Sequence, residues 1–251
     1  MKFTAVRRTA DGTETPIQLD IATENGVTAV RPLREVHGPR DVTPLDPECG
    51  VRILIDPETH VRYMADWRYS EFWCQPFFGD DLTKVPRDTQ YLVYRTQGGT
   101  WGVIIPTVDK DFKCVLEGTE KGLAAKQFSW FYGPVTSGDL AFVWAEGDDP
   151  YELTERAVRA AAGLLGTVLR GDRRYPEIFE YLGWCSWDAM EIRVSEAGLL
   201  EKCEEFRDKG IPVKWAILDD MWAEIRAFRG GEVRIARGNV PPHAFLRDDG
   251  L

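Results

Sequence analysis

Trp187 and Asp188 close one short apolar run, and Asp219 and Asp220 close another about thirty residues on. Between them Leu199, Leu200, Cys203 and Phe206 recur at helical spacing, with Ser195 as a candidate N-cap and Gly210 and Pro212 as the stop. The stretch from Tyr181 to Trp222 therefore reads as strand, helix, strand, with polar side chains gathered at the carboxyl ends of both strands. Parallel α/β folds hold their ligands at those ends. Other chemistry finds less support. His37, His60 and His243 are scattered and form no triad or metal pattern. Cys49, Cys74, Cys114, Cys185 and Cys203 are odd in number and lack metal-like spacing. Neither a metal nor a cofactor is expected.

The 251 residues suffice for one large domain or two ordinary ones. A formal charge of −10 would repel phosphates, so nucleic acid is not an expected partner. No apolar run is long enough to span a membrane, and the first residues hold no apolar secretory segment. Reduced, mostly buried thiols in a cytoplasmic protein fit the cysteine usage. The abundance of Trp and Phe suits either a dense core or a sugar-binding surface.

The elements that must position those strand ends come earlier in the chain. Up to about Gly50 the text is polar and suggests short edge strands. Val51, Ile53 and Ile55 then alternate with Arg52 and Leu54, and His60–Ala65 follows after a turn. Gln90–Arg95 and Trp101–Pro106 flank Thr96-Gln97-Gly98-Gly99-Thr100, a hairpin signature. Phe112–Leu116 places Phe, Cys and Leu inward, and Leu140–Ala145 is wholly apolar. Short strands at turn-spaced intervals predict a mostly antiparallel β-sandwich over residues 1–147. Residues 148–179 predict a connecting helix and linker: Asp148, Asp149 and Pro150 mark its start, and Leu153, Ala157, Ala160, Ala161, Leu164 and Leu165 keep helical period. The almost wholly apolar Val213–Leu218 reads as a strand buried on both faces, hence a parallel one. From about Glu224 the period is lost. Residues 224–251 read either as a long loop or, as we prefer, as an atypical tail from a reading frame that ends early.

At GWCSWDAM and GIPVKWAILDDMW the sequence resembles the raffinose synthase and seed imbibition protein branch of the α-galactosidase-like glycoside hydrolases. A second block agrees: Trp67–Phe78 (WRYSEFWCQPFF), then Val85-Pro86-Arg87-Asp88-Thr89-Gln90-Tyr91-Leu92, with Gly102–Asp109 similar to the following strand and turn. The likeness covers about Met64 to Trp222. It implies a β-sandwich followed by a (β/α)8 TIM barrel, and hydrolysis or transfer of α-galactosyl groups through a covalent aspartyl intermediate. A full barrel needs about 250 residues and each βα unit roughly thirty. Residues 180–251 thus hold only its first βα units. Both catalytic aspartates of the family are expected beyond Leu251, so no residue here inherits a catalytic role and the chain alone is expected to be inactive.

Sugar binding is what the resemblance carries over. Asp219 and Asp220 match paired aspartates that hold galactose hydroxyls, and Trp187 matches a tryptophan forming one wall of that pocket. Carboxylates accept O–H donors, and an indole covers the apolar face of a pyranose. Negative charge there also favours an oxocarbenium-like transition state. From residues alone Asp219-Asp220 is as well read as a solvated strand end; the two-block likeness favours the sugar ligands. Met221 stands where the family has Gly. Asp188, next to Trp187 in an extended strand, should face away and be structural. Trp73 and Trp184 are read as packing residues, Cys185 and Cys203 as small buried hydrophobes, and Trp222 is unassigned.

Three readings stay open at this point. The chain is the amino-terminal part of an α-galactosidase or galactosyltransferase acting on α-galactosides. Alternatively, it is a non-catalytic carbohydrate-binding or scaffold protein. In the third, a partner chain or a second copy completes the barrel, since two parallel strands with open edges seek partners.

Overall fold

Val51, Ile53 and Ile55 are buried while Arg52 and Leu54 face the other side, so the two-residue period of the sequence becomes a pleated strand with one core face. The computed structural model describes residues 1–9, 11–37, 49–57, 60–70, 73–129, 135–219, 222, 225–229 and 232–236. They divide into two compact units, Met1–Asp172 and Arg173–Leu251.

The first unit is built of β1 (Lys2–Arg8), β2 (Glu14–Ile17), β3 (Leu19–Glu24), β4 (Val27–Pro32), β5 (Val36–His37), β6 (Gly50–Asp56), β7 (His60–Arg68) and β8 (Cys74–Gly79). It continues with β9 (Thr89–Thr96), β10 (Trp101–Pro106), β11 (Lys113–Thr119), β12 (Gly122–Phe128), β13 (Val135–Thr136), β14 (Phe142–Gly147) and α1 (Pro150–Leu165). Its strands pair antiparallel in the order β2-β1-β6-β12-β11-β9-β10-β14-β4-β3, with the β7–β8 hairpin branching from β9. A short separate ladder joins β5 to β13.

Strand β9 joins the two halves of the large sheet. It pairs along its length with β7 and β10, and Thr89 also meets Leu116 of β11. Ile53, Leu116 and Leu123 from one half share a single buried cluster with Leu92, Ile104 and Phe142 from the other. The sheet is therefore folded back over one core. The predicted hairpin forms, with Gly99 at φ 86° in its turn. Opposite Tyr94, Gly102 leaves room for the phenol ring: a Cβ there would lie 2.1 Å from it.

Helix α1 begins as its sequence signals require. The Asp149 carboxylate accepts from the Tyr151 and Glu152 amides, Pro150 takes the first turn, and Gly166 ends the helix at φ 66°. Leu153, Ala157 and Ala161 pack against Val27, Val103, Val143 and Ala145 on the outer face of the sheet. The helix is thus a layer of the first unit.

The second unit contains β15 (Gly183–Cys185), α2 (Trp187–Met190), α3 (Glu196–Asp208), β16 (Trp215–Ile217), β17 (Ile225–Arg229) and β18 (Glu232–Ala236). Strands β15 and β16 pair parallel, with Cys185 opposite Ile217. That is one β–α–β unit; the described residues do not by themselves amount to a barrel. Burial of the second strand on both faces is not found, because no described layer covers it: Ile217 is 48% and Leu218 47% exposed. Helix α3 has the predicted caps, with Ser195 Oγ accepting from the Gly198 amide and Gly210 at φ 63°, yet buries no residue. Strands β17 and β18 form an antiparallel hairpin where the sequence suggested no regular element. Among the described residues no helix is long and apolar enough to cross a membrane.

Candidate functional site at the parallel strand ends

The parallel register decides what meets at the carboxyl end of the sheet. Gly183 lies opposite Trp215, and a Cβ there would sit 2.1 Å from the indole, so only glycine lets the rings and strands pair this closely. The Trp215 indole N–H donates to the Tyr181 carbonyl at 3.2 Å, and Phe179 packs edge-on against it. Trp184 packs edge-on against Phe206 of α3, as its packing role predicts.

Beyond Cys185 the chain leaves the sheet at Ser186, which is completely buried. Its amide donates to the Ile217 carbonyl at 3.0 Å, extending the parallel ladder by one bond. Its hydroxyl oxygen accepts from the Asp219 amide at 3.0 Å. Its carbonyl accepts from the Met190 amide at 2.9 Å, closing the single turn of α2. One small residue thus ties both strand ends and the following helical turn together. The thiol of Cys185 donates to Asp219 Oδ2 at 3.3 Å, so the Asp219 side chain is held by one strand and its backbone by the residue after that strand.

Of the residues singled out by sequence, Asp219 is half-buried at this junction, and Trp187 is half-buried in the first position of α2, directly after Ser186. Asp220 lies outside the described residues. Trp187 and Asp188 do not end a strand: both belong to the helical turn, because β15 stops at Cys185. The alternation argument that turned Asp188 away from Trp187 therefore does not apply, although Asp188 is exposed. Cys185 is half-buried and hydrogen-bonded, not a plain core residue, and Cys203 is exposed. Trp73, in the connection between β7 and β8, is 62% exposed, where core packing was expected. Trp222 is exposed.

Sequence reasoning passed over Ser186 and the Cys185 contact. The only local signal was two small polar residues between two tryptophans. Chemically, the junction presents an oriented carboxylate, acceptor-only when ionised, tied through its amide to Ser186, the residue before Trp187. Among the described residues no group of three or more His, Cys, Asp or Glu is placed to hold a metal ion.

Comparison with known proteins places these features in context. The family model described as "Raffinose synthase or seed imbibition protein Sip1" matches residues 54–238, and so runs past residue 224 and through β17 and β18. "Probable galactinol--sucrose galactosyltransferase 1" of Arabidopsis thaliana is 26% identical over 179 residues, covering 66% of this chain and 24% of that protein. The galactinol–sucrose galactosyltransferase of Oryza sativa subsp. japonica is 28% identical over 183 residues, covering 65% and 22%. Stachyose synthase of Pisum sativum is 24% identical over 168 residues, covering 65% and 20%. The chain spans a fifth to a quarter of the length of these relatives. The GH36 α-galactosidase AgaA from Geobacillus stearothermophilus aligns over 99% of this chain and 44% of its own, at 10% identity and a TM-score of 0.44.

Proposed function

This chain belongs to the raffinose synthase or seed imbibition protein family, and we infer that its parallel strand ends form the galactosyl-holding part of a site acting on α-galactosides. Asp219 and Asp220 accept the sugar hydroxyls, and Trp187 covers the apolar face of the ring. The observation that carries this reading is Asp219 at the carboxyl end of a parallel strand pair, its amide bonded to Ser186 and its carboxylate to Cys185. An ionised carboxylate accepts hydrogen bonds in about four directions, which suits adjacent hydroxyl donors. Its charge also favours the positive charge that develops at the anomeric carbon during galactosyl transfer.

In this reading the second unit is the first part of a (β/α)8 barrel. The exposure of Leu200, Ile217 and Leu218 supports it, since further βα units, from this or a second chain, would cover those apolar side chains. In this reading none of the described residues breaks or forms the glycosidic bond. The names of the relatives, galactinol–sucrose galactosyltransferase and stachyose synthase, favour transfer between sugars over hydrolysis. An odd number of cysteines without metal-like spacing supports a reducing, cytoplasmic setting.

Calorimetric titration of the purified chain with galactose and raffinose tests the reading. Saturable heat that disappears in Asp219→Ala is expected. Heat equal to buffer dilution at millimolar sugar would sink it. Hydrolysis of an aryl α-galactoside by the chain alone would contradict the absence of catalytic carboxylates.

A further inference from the structure

Two anchors converge on Asp219, and they do different things. The Ser186 hydroxyl accepts from the backbone amide, which places the residue along the chain. The Cys185 thiol reaches the carboxylate itself, 3.3 Å from Oδ2, across the parallel pair in which Cys185 lies opposite Ile217. We propose that Cys185 is a positioning residue whose S–H sets the orientation of the Asp219 carboxylate toward the sugar. The proposal rests on the reading of Asp219 as a sugar ligand.

A thiol suits this task for a physical reason. It is a weak, neutral donor, so it biases the carboxylate rotamer while leaving the negative charge intact. A lysine or arginine at position 185 would orient the group more strongly, but would form an ion pair and cancel the field that an electron-poor sugar ring needs. One S–H occupies one of about four acceptor directions on a carboxylate, so capacity for hydroxyl donors is retained. The sulfur also has the reach. A serine oxygen, on a shorter bond to Cβ, would stand further from Oδ2 and act as a partial substitute. Alanine would remove the thiol contact and leave the bond between the Asp219 amide and Ser186 in place.

Infrared absorption of S–H stretching in the full chain tests the contact without any sugar. The band that Cys185→Ala removes is expected at lower frequency than that of the exposed Cys74 and Cys203 thiols, and is expected to move up to theirs in Asp219→Ala. A Cys185 band at the frequency of the exposed thiols in the wild-type chain overturns the proposal, and this reading needs no variant beyond the one that assigns the band. Galactose titration tests the consequence. Cys185→Ala is expected to weaken binding by a factor of about 2 to 10, with part of the loss recovered in Cys185→Ser. Equal affinity in wild type and Cys185→Ala overturns the positioning role. A wild-type chain that binds no galactose sinks the sugar reading and the positioning role with it, while a low-frequency S–H band still establishes the thiol contact, so the two failures are told apart.

Discussion

Replacing Ser186 by alanine isolates the backbone anchor of the strand-end junction. The substitution removes one side-chain oxygen and leaves the Ser186 amide bond to Ile217 and the carbonyl bond to Met190 intact. What is lost is the 3.0 Å bond from the Asp219 amide. A net hydrogen bond contributes about 1 kcal/mol, and a buried donor left without a partner costs about 1–3 kcal/mol. Asp219 is half-buried, so water reaches part of its backbone and the cost falls at about 1–2 kcal/mol. That corresponds to a factor of about 5 to 30 in the population of the opened junction. Amide hydrogen exchange in the full chain reads this directly. The Asp219 amide should exchange faster in Ser186→Ala by that factor, while the amide at position 186, still bonded to Ile217, changes much less. If sugar binds only to the anchored form, galactose affinity falls by the same factor. An unchanged exchange rate at Asp219 would refute the reasoning, because it would mean that the hydroxyl does not hold the junction together.

Two further outcomes concern the first unit. Tyr94 is buried, its hydroxyl donating to Glu146 Oε1 at 2.6 Å and accepting from Trp144 Nε1 at 2.9 Å. Tyr94→Phe should cost about 1–3 kcal/mol, towards the lower end because the exposed Glu146 regains water; a urea midpoint equal to wild type would count against it. Burial, followed by the nearby Asp109 and Asp111 charges, raises the Asp139 carboxyl above its ordinary 3.8, against the lowering effect of the Asp111 and Phe112 amides that donate to it. The folded state then binds more protons than the unfolded one just above pH 3.8, so this residue's contribution to stability decreases as pH rises through that window and is recovered as pH falls. Asp139→Asn, whose amide oxygen accepts from the same two N–H groups, should flatten that part of the stability profile. Identical profiles for both proteins would contradict the assignment.

Much of the first unit could be read directly. The alternation at Val51–Ile55, the hairpin around Gly99 and the caps of α1 are local patterns, and local sterics and hydrogen bonding suffice to express them. The role of β9 could not be read in this way. Its pairing with β7 and β11 joins residues far apart in sequence, and an apolar strand carries no label for its neighbours. Trp73 misled because an aromatic residue in a strand-like run is equally compatible with a core face and an exposed arm.

At the strand ends, the order of residues by itself determined that polar groups gather after two apolar runs, and that Ser195 and Gly210 bound the helix between them. It also carried the family likeness. Tertiary structure alone decided that Trp187 starts a helical turn, that Ser186 ties both strands, and that the Cys185 thiol lies against Asp219. These contacts join residues 33 and 34 positions apart. Their geometry follows from the parallel register of β15 and β16, which is a property of the pair and not of either segment.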